Sequence, residues 1–122
     1  MPGSLVHFEL PAQDTARAKR FWSGVFDWSF NDAMMEGFDY SMVRTGENQG
    51  GAVYPDDGSM RGPIVYFDTD DIEASIAKVR ELGGQADDKQ PIPGVGWFSG
   101  CKDSEGNEFS LFQGDESVAP PQ

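Results

Sequence analysis

Residues 5–10 read LVHFEL, and a helical pattern follows them from Asp14 to Phe26. A second apolar run, residues 63–67, reads PIVYF, and it is followed by Asp70, Asp71 and a helical pattern over residues 72–82. Asp71 lies 57 residues after Asp14, so a strand followed by a helix occurs twice, at about half the chain length. This repeat predicts a chain built from two related modules.

Short segments rich in aromatic and β-branched residues follow each helix and are separated by turn-forming residues. They span residues 28–30, 38–43 and 51–54 in the first half, and residues 85–87, 96–102 and 108–112 in the second. Each half therefore reads βαβββ. Because neither half alone can bury both faces of such a sheet, we expect an α+β domain in which two modules form a curved, cup-shaped sheet with the helices on its outer face.

The predicted domain covers residues 1–114, with modules at about 4–55 and 62–113, and residues 115–122 are expected to form a flexible tail. Both helices are amphipathic, so one apolar stripe of each should pack on the sheet. The stripes consist of Ala18, Phe21, Trp22 and Val25 in the first helix, and of Ile72, Ile76, Val79 and Leu82 in the second. Asp14 or Thr15 is expected to cap the first helix, and Asp70 or Asp71 the second.

The charge of the chain bears on its partners. The 122 residues include 9 Lys and Arg against 21 Asp and Glu, which gives a net charge of −12. Nucleic acids and anionic membranes attract clusters of basic residues, and the basic residues here are scattered, so we expect neither as a partner. The chain has no leader pattern and no apolar run of about 18 residues, so we expect a cytoplasmic protein.

Strand alternation predicts which residues face the helices and which face the open side of the sheet. In the first strand Phe8 and Leu10 face the helix, so His7 and Glu9 lie on the opposite, concave surface. The other residues predicted on that surface are Gly51, Val53, Ile64, Tyr66, Ser110 and Phe112, and aromatic residues that can line or rim it are Phe38, Tyr40, Trp97 and Phe98. An apolar concavity with a few polar groups is typical of a small-molecule site; the alternative is a surface filled by the chain itself or by a second copy.

Three stretches carry a resemblance to a known family. They are residues 6–10 leading into the first helix, residues 65–72 with a helix that ends at Leu82-Gly83-Gly84, and residues 103–111, where Ser104 stands in the proline place of an Asp-Pro-x-Gly-Asn signature. Over residues 5–113 the chain resembles the vicinal oxygen chelate superfamily, which contains glyoxalase I, bleomycin resistance proteins and extradiol dioxygenases. Within it, the chain looks most like short actinobacterial members of the Cfp30B type. The resemblance implies paired βαβββ modules and a homodimer.

The resemblance also implies where a metal would bind. Metal-dependent members take one ligand from the first and one from the last strand of each module, and the matching positions here are His7, Gly51, Ile64 and Ser110. Only His7 is a good ligand for a divalent ion, because glycine and isoleucine offer no donor and Ser110 stands where a glutamate is typical. We therefore expect no cofactor and no usual metal centre. A divalent ion held by His7, Glu9 and Tyr66 is the alternative.

These observations lead to one preferred function and two alternatives. The preferred function is a glyoxalase-like or bleomycin-resistance-like protein that binds a small organic or aromatic molecule in the cup. The residues expected to contact it are Tyr66, Ser110, Phe38, Tyr40, Trp97 and Phe112. The first alternative is a metal-independent enzyme with His7 and Glu9 as catalytic acid and base. The second is a divalent-metal-dependent lyase or dioxygenase of the glyoxalase I type.

Overall fold

A computed structural model describes residues 2–31, 39–59 and 62–119. The chain divides into two compact units, Val6–Ile64 and Val65–Gln122, the second of which includes Met1–Leu5. Each unit follows one strand–helix pair with further strands. The α+β class and the repeat of a strand, a helix and further strands are thereby confirmed. Neither helix in the described part of the chain has the length and apolar character that crossing a membrane requires.

Within residues 5–31 and 39–55, the first module has one helix on a four-stranded sheet. Its elements are β1 (Leu5–Ala12), α1 (Thr15–Phe26), β2 (Phe30–Asn31), β3 (Ser41–Gly46) and β4 (Gln49–Pro55). The strand order is β2-β3-β4-β1, in which β1 and β4 run parallel and the other pairs antiparallel. Asn48 in the β3–β4 turn has a φ of 58°, which asparagine tolerates better than most residues.

The second module repeats this plan with one strand more than we predicted. Its elements are β5 (Ile64–Asp68), α2 (Ile72–Glu81), β6 (Gln85–Ala86), β7 (Gln90–Ile92), β8 (Gly96–Lys102) and β9 (Glu108–Gly114). Strand β5 runs parallel to β9, β9 pairs with β8, and both β6 and β7 pair with β8. We did not predict strand β7, because it has three residues and one of them is Pro91. Prolines are rare in strands except at edges.

Both helices begin where their capping residues predict. The Asp14 carboxylate accepts a hydrogen bond from the Arg17 amide at 3.0 Å, and this bond holds the pKa of Asp14 below its ordinary value. The Asp71 carboxylate likewise accepts from the Ala74 amide at 3.1 Å. Of the two candidates for each cap, Asp14 and Asp71 therefore fill the role. Each satisfies an amide that has no partner within its own helix.

The second module has the predicted apolar core between α2 and its sheet. Ile72, Ile76, Cys101 and Leu111 are buried there, and the side chains packed against them are Val79, Ala86, Trp97 and Phe109. Leu82 does not join this core. It is 70% exposed because it follows Glu81, the last residue of α2, where the chain has left the helical path.

The side of helix α1 that meets its sheet agrees only in part with the predicted apolar stripe. Phe21 and Val25, both expected to be buried, are 60% and 54% exposed. The side that is partly buried consists of Thr15, Ala18, Lys19, Trp22 and Ser23. Its spacing of three and four residues is helical, but three of its members are polar. Of the predicted stripe, Ala18 and Trp22 lie on this side and Phe21 and Val25 do not, so hydrophobicity alone identified only half of it.

The polar residues of this stripe are accommodated because each makes a hydrogen bond. Thr15 Oγ1 donates to Asp39 Oδ2 at 2.8 Å, and Lys19 Nζ donates to Ser41 Oγ at 3.1 Å. Ser23 Oγ donates to the carbonyl of Trp28 at 2.7 Å. A partly buried polar group that is hydrogen bonded costs far less than an unpaired one, so a polar stripe can pack on a sheet.

Residues at the start of the predicted flexible tail are attached to the second module. The Asp115 amide donates to the Val95 carbonyl at 2.9 Å, and the Gly94 amide donates to the Val118 carbonyl at 2.9 Å. Val118 is 8% exposed. Residues 115–118 are thus held by the turn before β8, and residues 120–122 lie outside the described residues.

The register of β1 and β4 corrects the predicted positions of two residues. Phe8 pairs with Gly51 and Leu10 with Val53, and paired residues on neighbouring strands point to the same face. Gly51 and Val53 therefore lie on the helix side and not, as predicted, beside His7. The repeat alignment was displaced by one residue in β4, and one residue is enough to exchange the two faces of a strand.

The close approach of Phe8 to Gly51 leads to a stability prediction. A Cβ atom added at Gly51 would overlap the Phe8 ring, whereas one added at Gly24 in α1 would meet no atom. Gly51→Ala should therefore lower the free energy of unfolding by about 1–3 kcal/mol through overpacking. The control, Gly24→Ala, should raise it by about 0.5–1 kcal/mol because alanine favours the helix. Urea denaturation checks both; equal stability of the two variants would contradict this packing.

Candidate functional site

The first module joins three of the predicted site residues by hydrogen bonds. His7 and Glu9 lie on the face of β1 opposite to Phe8, and Tyr40 directly precedes β3. The Tyr40 hydroxyl lies 2.7 Å from His7 Nε2 and donates to Glu9 Oε2 at 2.7 Å. The His7 and Tyr40 rings are stacked, with centroids 6.2 Å apart and planes at 22°. We call these three residues the His7–Tyr40–Glu9 chain.

The number of available protons assigns the donor in each bond. A tyrosine hydroxyl has one hydrogen, and in this arrangement Glu9 receives it. The hydroxyl must then accept a hydrogen from His7 Nε2, with which it makes its other bond. In the neutral imidazole only one nitrogen carries hydrogen, so Nδ1 is the basic nitrogen. The chain therefore selects one tautomer of His7.

His7 is held in its neutral form. Burial lowers its pKa below the ordinary value of 6.5, and the negative charge of Glu9 acts in the opposite direction with a smaller effect. Burial has this sign because it penalises the charged imidazolium. At neutral pH the site thus contains an uncharged imidazole whose orientation is set by a tyrosine and a carboxylate.

The open face around this chain includes Met42, which we did not predict. The register of β3 and β4 places Met42 opposite Ala52, which is itself opposite Glu9 on β1. Met42 is 46% exposed and lies on the same face as His7 and Glu9. Alternation along the predicted strand 38–43 already gives Met42 the parity of Tyr40, but only the aromatic residues of that strand were considered as lining residues. Tyr40 was predicted only as an aromatic lining residue, and no pattern in the sequence indicates that its hydroxyl bridges two β1 side chains.

Five predicted residues share one face of the second module. Tyr66 pairs with Ser110, and Asp68 with Phe112, so Ser110 and Phe112 lie on the face of Tyr66. Ile64 lies two residues before Tyr66 on β5 and points the same way. Phe98 pairs with Phe112 and joins them. Ser110 is 5% exposed, so its hydroxyl is largely covered.

Trp97 lies on the other face, contrary to the prediction that it contacts a ligand beside these residues. It pairs with Gln113, and it packs against the core under α2. The Lys89 amine lies 4.2 Å from the centroid of its ring. Trp97 and Phe98 are neighbours on β8 and therefore point in opposite directions, and only the pairing with β9 shows which of them faces the core. Phe38, the remaining predicted contact, lies outside the described residues.

The donor set does not fit a metal centre of the kind that the resemblance implies. His7 and Glu9 supply two donors, but the Tyr40 hydroxyl is bonded to both. Their neighbours on β4 are Gly50 and Ala52, which have no donor side chain. Across residues 2–31, 39–59 and 62–119, no group of three or more His, Cys, Asp or Glu side chains is placed to hold an ion.

Comparison with known proteins identifies the family. The sequence profile of the glyoxalase-like domain matches residues 6–112. A protein of Didymella fabae described as glyoxylase-like domain-containing is 30% identical over 119 residues, covering 89% of this chain and 92% of its own. The chain therefore belongs to the glyoxalase-like domain family, in the vicinal oxygen chelate superfamily.

Solved structures with the same fold include epimerases. Methylmalonyl-CoA epimerase from Mycobacterium tuberculosis superposes with a TM-score of 0.70 at 14% identity, covering 93% of this chain and 88% of its own. A hypothetical protein from Bacillus halodurans superposes with a TM-score of 0.69 at 16% identity, covering 97% of this chain and 99% of its own. A Streptomyces coelicolor methylmalonyl-CoA epimerase bound to 2-nitronate-propionyl-CoA superposes with a TM-score of 0.63 at 15% identity. The match covers 99% of this chain and 100% of its own. At these identities the likeness concerns the fold alone.

The opposing effects of burial and Glu9 on His7 lead to a prediction. Glu9→Gln should lower the pKa of His7 further, because it removes the interaction that raises this pKa and leaves the burial in place. The chain has a single histidine, so one imidazole NMR signal reports the titration without assignment. Glu116→Gln makes the same change of net charge on an exposed residue of the second module and should leave the titration unchanged. A His7 pKa that rises in Glu9→Gln would contradict the assigned contact.

Proposed function

We propose that this glyoxalase-like protein binds a small organic molecule on the open face of its first module, without a resident metal ion. The observation that carries the proposal is the His7–Tyr40–Glu9 chain, which presents an oriented, uncharged imidazole next to aromatic and methionine surface. Small-molecule sites consist mainly of apolar side chains. They orient a ligand with a few polar groups, which hydrogen bonds hold in place.

The chemistry of this face supports a particular class of ligand. The polar side chains of the His7–Tyr40–Glu9 chain favour a ligand with an N–H or O–H group. The Tyr40 ring and the exposed Met42 favour an aromatic or apolar body. The net charge of −12 disfavours anions at long range, although salt screens this effect beyond roughly 8–10 Å. A neutral or cationic aromatic compound fits these conditions.

A second candidate function, acid/base catalysis without a metal, is favoured by the orientation of His7. In enzymes, a histidine that acts as a base is activated when a hydrogen-bonded partner holds its second ring nitrogen. In this proposal Nδ1 of His7 takes a proton from an acidic group of the bound molecule. The resulting imidazolium donates from Nε2 to Tyr40, and the Glu9 carboxylate stabilises its charge. The likeness to epimerases supports the fold of such an enzyme and does not identify its substrate.

Further proposals concern partners and the second module. The open face of Tyr66, Ser110 and Phe112 is proposed as a contact surface for small molecules. We also propose a cytoplasmic homodimer that binds neither nucleic acid nor membranes, since the charge of the chain opposes polyanions. A relationship to short actinobacterial members remains part of this proposal. Sedimentation equilibrium at several concentrations tests the dimer, and a monomer at all of them would remove it.

Ligand binding is tested most directly through His7. All three tryptophans are poor reporters, because Trp22 and Trp28 stack on each other near Phe8, and Trp97 packs on the core of the second module. We expect neutral and cationic aromatic compounds, titrated into protein with labelled histidine, to shift the single imidazole signal. Tyr40→Phe should weaken binding by about tenfold, because it removes the hydroxyl that orients His7.

The control is Ser23→Ala, which also removes one hydrogen-bonding hydroxyl. This hydroxyl lies on the helix side of the sheet, where Ser23 Oγ donates to the carbonyl of Trp28. Its replacement should leave the affinity unchanged. If no compound shifts the imidazole signal, the binding proposal fails. If purified protein contains a stoichiometric divalent ion and its removal abolishes binding, the metal-free part of the proposal is wrong.

Catalysis is separated from binding by hydrogen–deuterium exchange in the bound molecule. If His7 is a base, a ligand with an acidic C–H group should exchange that hydrogen in deuterated water, and His7→Gln should abolish the exchange even at ligand concentrations that saturate the variant. The base form is the neutral one, so the rate should fall as the pH drops through the His7 pKa, which lies below 6.5. Binding without exchange in the native protein would favour the binding function alone.

A further inference from the structure

Helix α1 makes two hydrogen bonds to the segment that contains Tyr40. Thr15 and Lys19 are four residues apart, so their side chains leave the helix on the same side, one turn from each other. Thr15 Oγ1 bonds the carboxylate of Asp39 at 2.8 Å, and Lys19 Nζ bonds the hydroxyl of Ser41 at 3.1 Å. The two acceptors are the residues immediately before and after Tyr40.

These bonds hold the backbone on either side of Tyr40. Ser41 is 0% exposed, begins β3 and pairs with Val53, so its position is also set by the sheet. Its side chain points to α1, and the neighbouring Tyr40 reaches the opposite face, where its hydroxyl bonds His7 and Glu9. A shift of the segment 39–41 would therefore move the Tyr40 hydroxyl relative to both of its partners.

We propose that Lys19 and Thr15 are positioning residues of the site, which act from the helix side of the sheet to hold Tyr40 between His7 and Glu9. The inference rests on the proposed function of that face. This positioning role explains why the stripe of α1 that meets the sheet is polar. An apolar residue at position 19 would pack as well as lysine but would leave Tyr40 less constrained. Lys19 touches no ligand in this proposal and acts only through Ser41 and Tyr40.

The charge of Lys19 strengthens its contact with Ser41. A hydrogen bond from an ammonium group is stronger than one between neutral groups, and Lys19 is partly buried, which reduces competition from water. Thr15 has a β-branched side chain with few rotamers, so its hydroxyl is directed with little loss of entropy. Both residues are suited to fixing a neighbouring segment.

The test compares two substitutions at the positioning residues. Lys19→Met removes the donor with little change of volume, and Thr15→Val removes the hydroxyl without changing the charge. In both variants Tyr40 should cover His7 less tightly, so the pKa of His7 should rise toward its ordinary value as the imidazole gains water. The readout is the titration of the single histidine by NMR, together with urea denaturation to show that each variant is folded.

Two control variants separate positioning from general effects. Arg20→Met removes the same charge from an exposed neighbour on α1, so any effect common to it and Lys19→Met is long-range electrostatics. Thr15→Ser keeps the hydroxyl and should preserve the native His7 titration. With a ligand found by the histidine titration, Lys19→Met and Thr15→Val should bind about threefold to tenfold more weakly than the controls.

The outcomes are distinct. The inference is supported if the His7 pKa rises in both Thr15→Val and Lys19→Met. In the controls, Thr15→Ser should titrate like the native protein, and Arg20→Met should change the His7 pKa less than Lys19→Met does. Variants that are less stable but titrate like the native protein would overturn it, since their side chains would then serve folding alone. If Lys19→Met does not fold, Thr15→Val and Asp39→Asn carry the same test. Since the titration needs no ligand, failure to find any ligand would overturn the proposed function while leaving this test intact.

Discussion

The hydroxyl of Tyr40 is the group through which the first module organises its open face. It is 2.7 Å from both His7 Nε2 and Glu9 Oε2, so two side chains of one strand are joined by a residue that lies outside that strand. With one hydrogen to donate, it also determines which nitrogen of His7 is basic. The orientation and the tautomer of His7 depend on this arrangement, while burial keeps its imidazole neutral.

The helix on the other side of the sheet serves the same site. In α1 the side that contacts the sheet contains Thr15, Lys19 and Ser23, while Phe21 and Val25 face outward. A helix selected for core packing alone would reverse these positions, because burial of apolar area is the larger contribution to stability. The second module shows the ordinary case, in which Ile72 and Ile76 face the sheet and form its core.

The extent to which the site could be predicted differs between its parts. Alternation along β1 placed Phe8 on the helix side and His7 with Glu9 on the other side. Every second residue of a strand points to the same face, and the face that meets the helix must be apolar. The same reasoning failed for Gly51 and Trp97, since it needs the register to a partner strand, and a displacement of one residue reverses the result. Tyr40 lies before β3, where no periodicity applies.

By itself the sequence determined the α+β class, the repeated modules, two candidate capping residues for each helix, and the apolar core of the second module. These depend on local patterns and on the spacing of apolar residues, which are properties of contiguous chain. Only the tertiary structure decided which side of α1 meets the sheet and that Tyr40 joins His7 to Glu9. Both depend on hydrogen bonds between residues far apart in sequence, and such bonds follow from the positions of backbones that no single segment specifies.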